Sequence, residues 1–141
     1  MGWQELSANS HYQTAVAIEQ ELRKGNIPEA AAGIKELIDA LGRSEKRALK
    51  SHLVRLMAHI IKWKTQPERR SYSWAATIYS AREEIHDIQS ETPSLTDVVI
   101  REMWDRCFPT AKREAEGDMN QAATVTALSW HEVFEEPYEK P

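Results

Sequence analysis

Apolar residues recur along this chain at spacings of four and three, the period of one helix face, and nowhere alternate with polar ones over the length of a strand. The clearest stripe is Leu49, Leu53, Leu56, Ile60 and Trp63, widened on one side by Val54, Met57 and Ile61 as in a helix covered by more than one neighbour. It predicts a helix from a Ser44 cap to about Lys64, because Pro67 bars continuation and disfavours the α conformation at Gln66. Trp74, Ile78, Ala81, Ile85 and Ile88 repeat the spacing and predict a helix capped by Ser71 or Ser73 and running to Thr92-Pro93. Upstream, Ala15, Ile18 and Leu22 predict a helix over 10–24, capped by Asn9 or Ser10 and ended by Gly25-Asn26. Ile27, Ala30, Ile34, Leu37, Ile38 and Leu41 predict the next, opened by Pro28 and closed by Gly42, so that the two form an αα-hairpin. Ser94-Leu95-Thr96-Asp97 reads as a capping box with Asp in place of Glu. It opens a fifth helix through Val98, Val99, Met103 and Cys107, kinked or restarted at Pro109. Past Gly117-Asp118 the pattern dissolves until Ser129 to Phe134, which predict one short capped turn before an acidic tail.

The expected fold is therefore all-α: a compact single-domain bundle of about five helices plus a C-terminal helical turn, with no internal repeat. Its parts are an N-terminal hairpin over 10–42, a core helix pair over 44–91, a helix over 94–116 and an irregular tail. The third helix is expected at the centre, its stripe buried against Ile34, Ile38, Ile78 and Ile85.

Composition supports one core. The chain has 141 residues, 41% of them hydrophobic and five of them tryptophan, enough to close a core without disulfides. The single Cys107 has no internal partner for a bridge, and the opening MGWQELSANS lacks the features of a leader, so a reducing cytoplasm is expected. Leu53 to Trp63 is interrupted by Arg55, His59 and Lys62, far from the roughly 20 apolar residues that cross a bilayer, and no membrane partner is expected. The net charge of −4 hides a segregation: from Arg43 to Arg70 nine cations face two acids, Glu45 and Glu68, leaving +7 in that stretch. Such a stretch fits an acidic partner or nucleic acid, and it equally fits a helix clamped by the protein's own acids.

Candidate chemistry gathers in the same stretch. Glu45, His52 and His59 lie along one edge of a helix, but seven residues of helix rise about 10 Å, and metal-binding pairs on one helix sit three or four apart. No metal, cofactor or catalytic residue is assigned, since phosphate-binding loops, dinucleotide turns and hydrolase motifs are all missing from the sequence. Cys107 falls on an apolar helix face, where a free cysteine is packing. Arg43, Lys46, Arg47 and Lys50 follow helical spacing and form a basic face near a helix start, opposing its dipole. Acids of the second helix (Glu29, Glu36, Asp39) or of the tail (Glu132, Glu135, Glu136, Glu139) are expected to compensate. The stretch KWKTQPERRSYSW, residues 62–74, reads as a corner: Trp63 ends one stripe, Trp74 begins the next, and the reversal at Pro67 is expected to bring the two indoles within reach. At least one of Arg69 and Arg70 is expected to bond inside the protein, with His59 hydrogen-bonded near by.

Several of these runs together carry a resemblance. Gly42-Arg43-Ser44-Glu45-Lys46-Arg47, His59-Ile60-Ile61-Lys62-Trp63, Gln66-Pro67-Glu68-Arg69-Arg70-Ser71, Ser73-Trp74, Thr77-Ile78 and Pro93-Ser94-Leu95 resemble a bacterial family known as domain of unknown function number twenty-nine. The likeness covers nearly the whole chain and implies an all-α fold but no assigned activity. Family members open with an acidic residue ahead of an aromatic pair and carry a denser acidic run at the end of the second helix. Here those segments read Ser10-His11-Tyr12-Gln13-Thr14-Ala15 and Lys35-Glu36-Leu37-Ile38-Asp39-Ala40, so any site built on those acids is weakened. The expected function is a non-enzymatic helical protein-interaction module, self-association included. Nucleic-acid binding through the basic stretch 43–70 is the alternative, and an enzyme or ligand site centred on His59 with Glu45, Arg69 and Arg70 is the third reading.

Overall fold

A computed structural model describes residues 2–139. The elements are α1 (Trp3–Asn9), α2 (His11–Arg23), α3 (Ile27–Thr65), a 3₁₀ turn (Pro67–Arg69), α4 (Tyr72–Glu91), α5 (Asp97–Met119) and α6 (Trp130–Phe134). Among the described residues there is no strand, and the fold is all-α. Packing divides the chain into two units, Met1–Arg47 and Ala48–Pro141, with α3 contributing to each.

The first unit rests on α1, an element the apolar pattern does not announce. Its anchor is Trp3, buried with Ile18 and Ala30, whose indole N–H donates to Glu29 Oε2 at 2.8 Å. On α2 the Ser10 hydroxyl accepts from the Gln13 N–H, the predicted cap. The helix ends at Gly25 in the left-handed region (φ 77°), with Asn26 N–H on Glu21 O and Gly25 N–H on Leu22 O, a Schellman pair. Its inner face is Thr14, Ile18 and Glu21; the expected core residues Ala15 and Leu22 are exposed. The buried polar side chains are satisfied: Thr14 donates to Ser10 O, and Glu21 accepts from Asn26 Nδ2.

Two expectations fail on α3. The second and third helices are one, running through Gly42 and Ser44 without a break. Gly42 lies outside the left-handed region that Gly25 adopts. A glycine inside a helix costs about 1 kcal/mol relative to alanine, whereas a break would expose four N–H and four C=O groups, and Leu41, Arg43, Glu45 and Lys46 all favour continuation. Ile34 and Ile38 therefore cannot fold back onto Leu49 or Leu53. They lie earlier in the same helix, and both are exposed. The inner face of this part of α3 is Ala30, Gly33 and Ala40, with half-buried Leu37 beside them, and Ala30 and Gly33 are small enough to admit Trp3 and Ile18.

The second unit carries the large core. Leu49, Leu53, Leu56 and Ile60 of α3 are fully buried and Trp63 nearly so, as the stripe predicts. They join Ile78, Ala81, Ile85 and Ile88 of α4, then Ile100, Met103, Cys107, Ala111 and Ala115 of α5, with Val125, Leu128, Val133 and Tyr138 closing the cluster. Each large side chain removed from water there contributes about 1.5–3 kcal/mol. Ser71 caps α4 by accepting from the Trp74 N–H. The predicted box at Ser94 is not made: α5 begins at Asp97, Thr96 forms no side-chain cap bond, and Asp97 accepts from Gln89 instead. Val98 is exposed rather than in the core. Pro109 neither ends nor restarts α5, because it sits on the exposed side with Asp105, where water can take the carbonyl it frees. The capped turn at Ser129 is present as α6, with Ser129 and Glu132 bonding each other's backbone N–H groups.

Candidate functional site

The corner at residues 62–74 is held by arginine and by the tail. Gln66 is buried at the end of α3, with its side-chain amide donating to Gln121 at 2.8 Å. Arg70 folds back over the turn: its Nε donates to the Trp63 carbonyl at 2.9 Å, and its guanidinium lies 5.0 Å from the Trp63 ring centroid. That bond takes up one of the carbonyls left free at a helix end. Arg69 is exposed. One of the two arginines is thus bonded inside the protein.

The two indoles do not pair. Trp63 meets Tyr138 edge-on, at 5.9 Å and 80°, while Trp74 lies beneath the ammonium group of Lys62 at 5.4 Å. In place of the expected contact, Trp63 packs against Tyr138 of the C-terminal segment. That segment is clasped there by Arg82, which donates to the Val133, Glu132 and Glu136 carbonyls and stacks on Tyr79 and Tyr138. The Tyr138 hydroxyl, pushed well above its usual range by burial and by Glu136, donates to Glu132 O. No apolar periodicity marks a clasp of one arginine and two tyrosines so far apart in sequence.

His59 is half-buried, its Nδ1–H donating to the Arg55 carbonyl at 2.9 Å. Burial lowers its pKa, the carbonyl bond opposes this, and Lys62 and Arg55 lower it further. Lys62, itself buried, pairs with Asp118 at 3.1 Å, and Lys64 pairs with Glu132. His52 is also half-buried, and Glu45 lies in the first unit. Among the described residues no three His, Cys, Asp or Glu side chains converge on a metal position. Cys107 is fully buried on the inner face of α5, its thiol pKa raised by burial.

Arg43, Lys46, Arg47 and Lys50 are all exposed, and among the described residues none pairs with a carboxylate, against the expectation of internal acids. The continuity of α3 supplies the reason. These cations sit in the middle of a helix rather than at its start, so they oppose no free dipole that acids would have to offset. The tail's Glu132 is engaged by Lys64.

Sequence reasoning also missed an aromatic group on α5 and α6. Trp104 stacks on Trp130 at 5.7 Å and 23°, Phe134 lies 4.5 Å from Trp130, and the Arg101 guanidinium covers Trp130 at 4.2 Å. Arg101 and Trp104 are three residues apart on α5, a spacing that could have marked one helix face.

Among the described residues the protein is all-α, and its second unit carries an aromatic, arginine-closed corner. More particularly, the chain belongs to the family described as Domain of unknown function DUF29, whose model matches residues 9–138. No curated protein and no solved structure matches the chain.

Proposed function

We propose that the protein is a non-enzymatic helical interaction module that associates with a second copy of itself through the first unit. The observation that carries this reading is the stripe Ile27, Ile34, Ile38 and Leu41 on α3, all exposed, with Ile27 at 58% and Ile38 at 62%. A helical stripe of large aliphatic side chains in contact with water is unfavourable, and on a monomer it marks an interaction face. Charge favours a second copy in antiparallel register. Residues 27–41 carry Glu29, Glu36 and Asp39 against Lys35, and residues 42–47 carry Arg43, Lys46 and Arg47 against Glu45, a net of −2 followed by +2. Pairing centred between Leu37 and Ile38 sets Ile34 level with Leu41 of the second copy, and Glu29 level with its Lys46. Parallel pairing would stack the cations on themselves.

The test is light scattering across a concentration series with the full chain and with Ile34→Glu/Ile38→Glu. The expected result is a dimer that the double substitution converts to a monomer of unchanged helicity. Ile38→Cys, near the two-fold axis, is expected to form a disulfide-linked dimer on oxidation, and Ile27→Cys is not. A wild type that stays monomeric at its highest soluble concentration overturns the reading.

A second reading has its own observation, the exposed Arg43, Lys46 and Arg47 of the same unit, which pair with no carboxylate among the described residues. If they contact phosphates, affinity for DNA or RNA falls steeply between roughly 50 and 200 mM salt, and charge reversal at Arg43 and Arg47 abolishes it. Salt-insensitive or absent binding removes this alternative.

A further inference from the structure

On α5, Arg101 and Asp105 stand one helical turn apart, a spacing at which opposite charges ordinarily pair. Here they do not. Arg101 is drawn onto the face of Trp130, 4.2 Å from the ring centroid, and among the described residues neither its guanidinium fork nor the Asp105 carboxylate has a hydrogen-bond or ion-pair partner. Both groups line one open cleft of about 270 Å³, whose other walls are Trp104, Leu128 and Trp130. The indole N–H of Trp104 is already given to the Leu128 carbonyl at 3.2 Å, so that wall offers a ring face and no donor. The cleft thus presents a cation, an anion and an aromatic platform at once, in a volume below the about 300–1,000 Å³ of sites for drug-sized ligands.

We propose that this cleft binds a free α-amino acid with an apolar or aromatic side chain. Arg101 takes the carboxylate through its two-pronged fork, Asp105 takes the ammonium group, and the side chain lies against Trp104 and Trp130. A ligand bearing only one charge engages Arg101 or Asp105 but not both, and the zwitterion is selected because it alone gains both charge-assisted contacts. The cleft lies wholly within the second unit, so the assignment stands or falls separately from self-association.

The test is a titration of the full chain with leucine, phenylalanine and tryptophan, followed by calorimetry and, for the first two, by the protein's tryptophan fluorescence. Alongside them run the N-acetyl and carboxamide forms, which remove one charge each. The expected result is saturable binding of at least one amino acid, weakened about tenfold or more by either blocking group, and weakened comparably by Arg101→Gln and by Asp105→Asn. Both side chains are exposed, so circular dichroism is expected to be unchanged in the variants. As a cross-check, Asp105→Asn is expected to cost the N-acetyl form nothing further, since its ammonium partner is already gone. No saturable binding, blocked forms that bind as well as the parents, or a loss confined to one of the two variants overturns the proposal.

Discussion

At the scale of single residues, the two glycines of α3 show how the same residue type is read differently by its surroundings. A β-carbon added at Gly33 would stand 2.7 Å from Ile18 Cγ1 and 2.9 Å from two ring carbons of Trp3. Those neighbours are core groups of a small unit, and Trp3 is further fixed by its bond to Glu29, so they cannot swing away freely. Gly33→Ala is expected to destabilise the first unit by about 1–3 kcal/mol, the usual cost of overpacking, despite alanine's better helix propensity. A lowered urea midpoint, accompanied by a change in Trp3 packing seen by fluorescence, checks this. An unchanged or raised midpoint would show that α1 is not seated as described.

At the scale of elements, Gly42 is the complement. Among the described residues, nothing outside its own stretch of helix lies within 4 Å of a β-carbon built there, and the backbone is continuous helix. Gly42→Ala is therefore expected to stabilise the protein by roughly 0.5–1 kcal/mol and to raise helicity slightly, as measured by urea unfolding and circular dichroism. If Gly42 were a true helix end, the same substitution would be neutral or harmful. This is also where the sequence is hardest to read. Gly25 and Gly42 each follow an apolar stripe, yet only Gly25 is followed by Asn26 and then Pro28, which fit a left-handed stop and a fresh start. Gly42 is followed by helix-forming residues, so the apparent stop carries no second signal. The strong stripes of the second unit, ending at Pro67 and restarting at Ser71, were legible because a proline and a cap agreed with the period. The inner face of the first unit was not, because a helix that admits an indole buries alanine and glycine while its large aliphatics face outward.

At the scale of the whole chain, legibility follows sequence distance. The bonding of Arg70 could be anticipated because its partner Trp63 is close in sequence, whereas Arg82 meets its carbonyl acceptors 50 to 54 residues away and nothing local announces them. Burial and ion pairing set how stability responds to acid. His59 has a folded pKa below its ordinary 6.5, chiefly because burial penalises the charged ring. The unfolded chain therefore binds a proton before the folded one, and stability contributed by neutral His59 is present above pH 6.5 and declines as pH falls towards the lowered value. Glu132 has a folded pKa below its ordinary 4.5, chiefly through its bond to Lys64. Its contribution is present above that value and is lost as pH falls further, which releases Lys64 and loosens α6. The two groups thus predict losses in separate windows, one beginning below about 6.5 and one below about 4.5. Urea midpoints measured near pH 7.5, 5.5 and 4 and below are expected to decline across both intervals in the wild type. His59→Gln is expected to flatten the upper decline and leave the lower one, and Glu132→Gln to do the reverse. If His59→Gln keeps the full upper decline, the ring is not buried against Arg55 and Lys62 in solution, and the corner is looser than its bonds imply.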